Sequence, residues 1–431
     1  MTSIQNERRG FSMFKFLKKY ARQMRLVVGL GLLASVSGQV LAHGERNQEP
    51  FLRMRTVHFY DMKWNTTEVP VNGEIVVSGT FRLFPEWPGN LPPPKRVFLG
   101  NGTPGPVLAR TESWIGDVPA IQSGQLELDR DYTFRSVYKA RIPGNHHVHP
   151  MLNVEGAGPL LGPGNWLAIT GNREDFRLPI DTIDGTHIEN LETWGVGTVF
   201  KWHALWFAIA LVYMLWWLRK PLLMPRFLAT EAGNDDLLIT RGDRMWGAAF
   251  MVGTLVIVVA GANWAEAKYP RTVPLQGGEA TWEPLPKQAA SVKIAVKRAT
   301  YDVPGRSMKI NVTLTNNGPK PVQVGEFLTA GLRFVNHDVP VAMANIDPLF
   351  PKDLIPPSGL KVGDNTPIAP GESRTMMLEA TDAAWEVERL TSLINDPDNR
   401  VGALVFFFDA DGNRSISTLS GPIVPFFGAG K

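Results

Sequence analysis

A chain of 431 residues, 44% hydrophobic and 20% charged, has the make-up of a folded protein of two or three domains, not of a disordered one. It contains no cysteine, which excludes disulfide frameworks, thiolate nucleophiles, blue-copper centres, iron–sulfur clusters and cysteine zinc sites. The formal charge of +3 comes from the leading residues 1–42, where Arg8, Arg9, Lys15, Lys18, Lys19, Arg22 and Arg25 face only Glu7. The remainder is slightly acidic, and a nucleic-acid binder loses its electrostatic footprint.

In chain order, residues 1–42 read as a signal peptide: a basic start, an apolar run from Leu26 to Leu41, and the small-residue cleavage site Val40-Leu41-Ala42. Cleavage there makes His43 the first mature residue. Residues 43–190 read as a β-rich domain, with strand-like runs at Arg53–Tyr60, Glu74–Phe84 and within Gln125–Val154. Pro- and Gly-rich turns separate them, including Gly158–Gly164, and short strands at such spacing suggest a sandwich. Residues 195–218 and 245–264 are almost wholly apolar and each is long enough to cross a bilayer. The connecting loop, 219–244, carries Arg219, Lys220, Arg226, Arg241 and Arg244, which predicts that it is cytoplasmic and that both flanking domains lie outside. A Pro-containing linker, 265–289, leads to a second β-rich domain at 290–425. In that domain Lys309–Thr315 alternates, Ala383–Asn395 has helical spacing, and Ala403–Phe408 reads as a buried strand.

Chemistry concentrates in the histidines. The chain has eight; three lie in His146-His147-Val148-His149 and a fourth is His43. On a strand, His147 and His149 share a face while His146 points to the other. The imidazole and α-amine of His43 complete a set of four nitrogens suited to tetragonal Cu(II). The amine ionises at about 7.7–8.0 in model peptides, so a metal displaces its proton at small cost near neutral pH. Zinc prefers a tetrahedral set. A His-x-His pair alone is weak evidence, since half-exposed strands carry polar residues without ligands; the conjunction with a terminal histidine raises the reading above that bland one. His58 reads as an interior histidine, His187 and His337 as solvated, His203 as packing within a span, and Glu45 as a neighbour of the metal or an ordinary surface residue. No hydrolase triad or nucleotide fingerprint is evident.

The strings His43-Gly44-Glu45-Arg46, Phe51-Leu52-Arg53-Met54-Arg55-Thr56, Ala140-Arg141-Ile142-Pro143-Gly144, Met151-Leu152-Asn153-Val154, Tyr301-Asp302-Val303-Pro304-Gly305-Arg306 and Ala384-Trp385-Glu386 closely resemble the B subunits of the copper membrane monooxygenases. This is the family of ammonia monooxygenase and particulate methane monooxygenase. The resemblance implies a mainly β chain: two cupredoxin-like β-sandwich domains joined by a transmembrane helical hairpin, the second domain metal-free. It implies copper at His43, His147 and His149, and partners in the A and C subunits, as a trimer of heterotrimers in a bacterial inner or intracytoplasmic membrane with both domains in the periplasm. Some methane-oxidising relatives hold an extra copper on two histidines; His58 matches the first, but Arg82 stands in place of the second, so that site is expected to be missing. Glu45–Pro50 and the doubled His146-His147 resemble ammonia oxidisers, whereas Asp382–Val387 is methane-like. The expected reaction is oxidation of ammonia to hydroxylamine with O2; the alternatives are methane to methanol, or a copper-binding scaffold whose active site lies in a partner.

The mature chain isolated from membranes is expected to begin at His43, as read by intact mass or terminal sequencing. A start displaced by one residue removes the amine from the metal and contradicts the chelate.

Overall fold

The computed structural model describes residues 50–182, 184–220, 223–234, 236, 238–270, 278–287, 290–382 and 398–428. The expected signal peptide, His43, Glu45 and the helical stretch Ala383–Asn395 lie outside the described residues.

Helix α1 (Pro50–Arg55) leads into β1 (Val57–Trp64), which pairs with β2 (Glu74–Leu83). Strands β3 (Val97–Gly102), β4 (Leu108–Ile115), β5 (Asp131–Ala140), β6 (Gly144–Val154), β7 (Gly158–Leu161) and β8 (Asn165–Thr170) complete the first unit. One sheet runs β1-β2-β5-β4; the facing sheet places β6 between β3 and β8, with β7 also on β6. Alternation explains the core: Ile75, Val77, Phe81 and Leu83 of β2 point inward and Thr80 and Arg82 outward. In β1 the parity switches. Val57 and Phe59 face the core, then Asp61 takes a left-handed φ of 52° in a bulge, and Met62 and Trp64 face it instead.

Between the β units stands a hairpin of two long helices, α2 (Val196–Leu218) and α4 (Arg241–Lys268), joined through the short α3 (Met224–Glu231). Both long helices are long and apolar enough to cross a membrane, and their apolar side chains are exposed. They run antiparallel, with ring centroids 6.1 Å apart at Trp194–Tyr269, 5.1 Å at Tyr213–Phe250 and 4.7 Å at Trp216–Trp246. At the loop end Asp243 closes a capping box with Thr240 and accepts from Trp216 Nε1 (3.1 Å) and Lys220 Nζ (2.7 Å). The aromatic pairs at the two ends are separated by about 33 Å of helix, which matches a hydrocarbon core with aromatic belts.

The second β unit comprises β9 (Val292–Asp302), β10 (Ser307–Asn316), β11 (Gln323–Thr329), β12 (Leu332–Val335), β13 (Leu360–Val362), β14 (Ser373–Thr381), β15 (Arg400–Phe408) and β16 (Arg414–Phe426), with helix α5 (Pro340–Ala344) between β12 and β13. The order is β12-β11-β15-β16-β9-β10-β14-β13. Strand β16 pairs with β15 along its first part and with β9 at Ile423–Phe426, so one strand serves both layers. Strand β15 is buried on both faces, as its unbroken apolar run predicts: Val401, Ala403, Val405 and Phe407 fill its own core, and Leu404 and Phe406 pack toward Tyr60 of the first unit.

That contact is the seam between the two β units. Asp61, turned outward by the bulge, accepts from both terminal guanidinium nitrogens of Arg414, Nη1 and Nη2, at 2.5 Å. Arg414 also lies over the rings of Tyr60 and Phe406. Arg55 reaches Asp398 (2.9 Å) and Arg400 reaches Glu86 (2.7 Å).

The fold is mainly β with two β-sandwich units and a long helical hairpin, which agrees with the sequence. Three local readings differ. Arg53–Thr56, expected as strand, precedes β1, because α1 is drawn against the second unit: Met54 is fully buried and Arg53 donates to the Ala330 carbonyl. Gly158–Leu161, read as turn, pairs with Val154–Met151 as β7. In the stretch read as linker, Ala280–Thr281 pairs with Gly124–Gln125 and Trp282 is buried. A side chain at Gly124 would overlap the Ala280 carbonyl, so glycine there is what admits this extra strand.

Gly402 of β15 supports α1 in the same way, since a Cβ there would overlap the Met54 carbonyl and sit 2.9 Å from the Phe84 ring. Gly402→Ala is expected to lower stability by about 1–3 kcal/mol through overpacking, read as a fall in unfolding temperature. An unchanged temperature contradicts the seam described here.

Candidate metal centre

Strand β6 carries two surfaces. Val148, Leu152 and Val154 enter the sandwich core, and His147 and His149 project from the opposite face. That face is also closed, so both histidines are buried (7% and 4% exposed). Their neighbours come from the register. His147 lies opposite Trp166 of β8, whose ring is 4.9 Å from the imidazole, and His149 lies opposite Gly102 of β3. Asn165 Nδ2 donates to the Leu349 carbonyl (2.8 Å), tying the start of β8 to the second β unit.

The hydrogen bonds fix how the imidazoles are used. His149 Nδ1 lies 2.9 Å from the Gly162 carbonyl, which can only accept, so Nδ1 carries the proton and Nε2 presents its lone pair. That lone pair meets Nδ1 of His147 at 3.0 Å, with the two rings nearly perpendicular (87°). Two nitrogens each about 2.0–2.1 Å from one ion stand about 2.9 Å apart at right angles and about 3.4 Å apart at a tetrahedral angle. The observed 3.0 Å is the length of the hydrogen bond between the rings, and an ion could enter between the two nitrogens with little movement of either. In such a site His147 would bind through Nδ1 with its proton on Nε2, a tautomer change with no charge cost, and the Gly162 carbonyl would orient His149 through Nδ1, on the other side of the ring from the binding nitrogen. A buried pair of imidazole nitrogens brought this close thus fits a metal held by nitrogen ligands. Among the described residues no group of three or more His, Asp or Glu side chains forms a complete metal site.

The other histidines separate from this pair. His146, on the core side of β6 by alternation, turns to the carbonyl of Ile142 (3.0 Å) at the strand's edge. His58 is buried at the seam, where its Nε2 donates to the Met54 carbonyl (2.8 Å). Burial, opposed by that hydrogen bond and assisted by the charge of Arg82, pushes its pKa down to about 4, so it is neutral at physiological pH. His58 lies opposite Arg82 in the β1–β2 register, and Arg82 is engaged with both oxygens of Asp131. A guanidinium committed to a carboxylate offers no lone pair to a metal. His187 pairs with Asp181 (2.7 Å), His203 bonds within α2, and His337 is exposed.

The residues that close the pocket were not legible as site residues in the sequence. Gly102, Gly162, Gly164 and Trp166 shape it without a metal-binding atom in a side chain. The run Gly162-Pro163-Gly164 was their signal: two glycines around a proline mark backbone that something approaches closely. A Cβ on Gly164 would overlap the His149 imidazole.

Comparison with known proteins identifies the family. The model of the family of monooxygenase B-subunit proteins matches residues 44–427. The chain belongs to this family of monooxygenase B subunits. The particulate methane monooxygenase alpha subunit of Methylococcus capsulatus (strain Bath) is 43% identical over 405 residues, covering 92% of this chain and 97% of that protein. Among solved structures, the cupredoxin domain of amoB from Nitrosocaldus yellowstonii aligns with 28% of this chain and 91% of its own, at 16% identity and a TM-score of 0.24. The adhesin InvE of Yersinia pseudotuberculosis aligns at 8% identity and a TM-score of 0.15, over 88% of this chain and 61% of its own. Scores this low carry no structural argument; the family match rests on sequence. The chain is one component of a multi-subunit monooxygenase.

Gly164→Ala is expected to tilt the His149 ring off the Gly162 carbonyl and weaken metal binding on the order of 10–100-fold, the range for losing an outer-shell contact. Competition with a chelator measures it; unchanged affinity contradicts the role of this backbone.

Proposed function

We propose that this chain is the copper-holding component of a membrane monooxygenase, with one copper bound by His43, His147 and His149. The observation that carries the reading is the approach of two buried imidazole nitrogens, His147 Nδ1 and His149 Nε2, to 3.0 Å of each other. A donor set of nitrogens alone and the absence of cysteine favour copper over zinc. The amine and imidazole of His43, released by cleavage after Ala42, supply the other two nitrogens. Copper so bound supplies redox chemistry with O2. The protein's own part is to hold two imidazoles in set tautomers, to keep them buried beside Trp166, and to brace their loop through Asn165 on the second β unit.

The chain crosses the membrane twice, through α2 and α4, with both β units in the periplasm of a bacterial inner or intracytoplasmic membrane. Arg219, Lys220, Arg241 and Arg244 border the short connecting loop, which the positive-inside rule assigns to the cytoplasm. The partners are the A and C subunits, in a trimer of heterotrimers within membrane lipid.

Ammonia is the proposed substrate of the complex, oxidised to hydroxylamine, on the strength of Glu45–Pro50 and the doubled His146-His147. The 43% identity with a methane monooxygenase chain favours a second reading, methane to methanol.

In purified complex, His147→Ala and His149→Ala are each expected to lower copper occupancy and remove one nitrogen from the hyperfine pattern of bound Cu(II). His146→Ala is expected to leave both intact. Loss of copper from His146→Ala alone contradicts the assigned strand face.

A further inference from the structure

The loop between the two long helices contains a feature that neither the metal centre nor the β units use. In and beside α3, Leu223, Met224, Phe227 and Leu228 are 88%, 65%, 56% and 56% exposed. Within the helix Met224, Phe227 and Leu228 fall inside an arc of about 100°, with Arg226 on the opposite side. Glu231 falls within the same arc one turn further on and ends the apolar face there. Four large apolar side chains crowded together on a water-exposed loop are costly unless something covers them.

The position of the loop says what covers them. Helix α2 ends at Leu218, and the five steps to Leu223 span at most about 18 Å. The chain is also held back: Lys220 Nζ is 2.7 Å from Asp243 Oδ2 at the start of α4, and Trp216 packs on Trp246 at the same level. The polar layer on each side of a bilayer is itself roughly 5–8 Å deep. A segment so tethered is kept near the headgroups, and this one is amphipathic. Arg226 is half-buried, while Arg241 and Arg244 at the start of α4 are exposed at the same end of the hairpin.

We infer that α3 lies in the plane of the membrane surface, with Met224, Phe227 and Leu228 inserted among phospholipid acyl chains and Arg226, Arg241 and Arg244 at the level of the phosphates. The inference rests on the reading that α2 and α4 span the bilayer. The loop then acts as an anchor: an in-plane helix at the end of a hairpin fixes its depth and resists tilting about the short turn.

The absence of cysteine from this chain allows nitroxide labels at single engineered positions. The assembled complex is placed in nanodiscs of phosphatidylcholine and phosphatidylglycerol, and the signal of the identically treated parent complex is subtracted. Labels at Phe227→Cys, Thr230→Cys and the mid-span Leu255→Cys are compared for relaxation by oxygen, which concentrates in lipid, and by a water-soluble nickel chelate. The expected result is an oxygen-dominated Phe227→Cys, resembling Leu255→Cys, beside a nickel-accessible Thr230→Cys. An oxygen-dominated Leu255→Cys beside a Phe227→Cys that nickel reaches, or that both reagents fail to reach because protein covers it, overturns the inference alone. A nickel-accessible Leu255→Cys overturns the spanning reading and the inference with it.

Discussion

The parts of this chain outside the hairpin depend on strands that are buried on both faces. A strand with one wet face needs only a core; a strand with two dry faces must satisfy two unrelated environments at alternate residues. Strand β6 does so by giving its even positions to the sandwich and His147 and His149 to a closed polar pocket. Strand β15 gives alternate residues to its own core and to the seam, and β1 does the same with Phe59 and Tyr60. A one-residue slip in β6 would drive both histidines into the core and put Val148 in the pocket in their place. Register is therefore the property on which the metal pocket rests.

The bulge at Asp61 shows how the chain manages such a demand where simple alternation fails. By inserting one residue, β1 keeps Met62 and Trp64 in the core and frees Asp61 to meet Arg414 across the seam. Arg82 and Asp131 form a second pair along the same seam, and the hydroxyl of Tyr60 donates to Asp131 at 2.6 Å. Each such pair is worth little on a wet surface, but a bidentate and half-buried one also fixes geometry. Through Asn165 and Leu349 the seam reaches the pocket itself, so the second β unit, without a histidine cluster of its own, braces the loop that closes over His149.

Much of this was legible in the sequence, for physical reasons that differ by element. The long helices announce themselves because bilayer-length apolar runs have few other uses. The pairing of His147 with His149 follows from strand period alone. The buried run at Ala403–Phe408 reads as a strand because nothing in it tolerates water. What escaped was set by tertiary contact: α1 is helical at Arg53–Arg55 because it docks on β15 at Gly402, and Ala280–Trp282 joins a distant sheet only because Gly124 leaves room. The Gly162 carbonyl escaped for a similar reason, since a backbone atom that orients a ligand leaves no mark on side-chain chemistry. The fate of Arg82 was half legible. Its presence opposite His58 removed a ligand, but its engagement with Asp131 required the fold.

The most direct test of the account is the anomalous scattering of the intact complex measured at the copper absorption edge. The account predicts a peak at bonding distance from both His147 Nδ1 and His149 Nε2, with the mature amino terminus beside it. Copper found elsewhere in the complex while the space between those two nitrogens stays without a peak would contradict it.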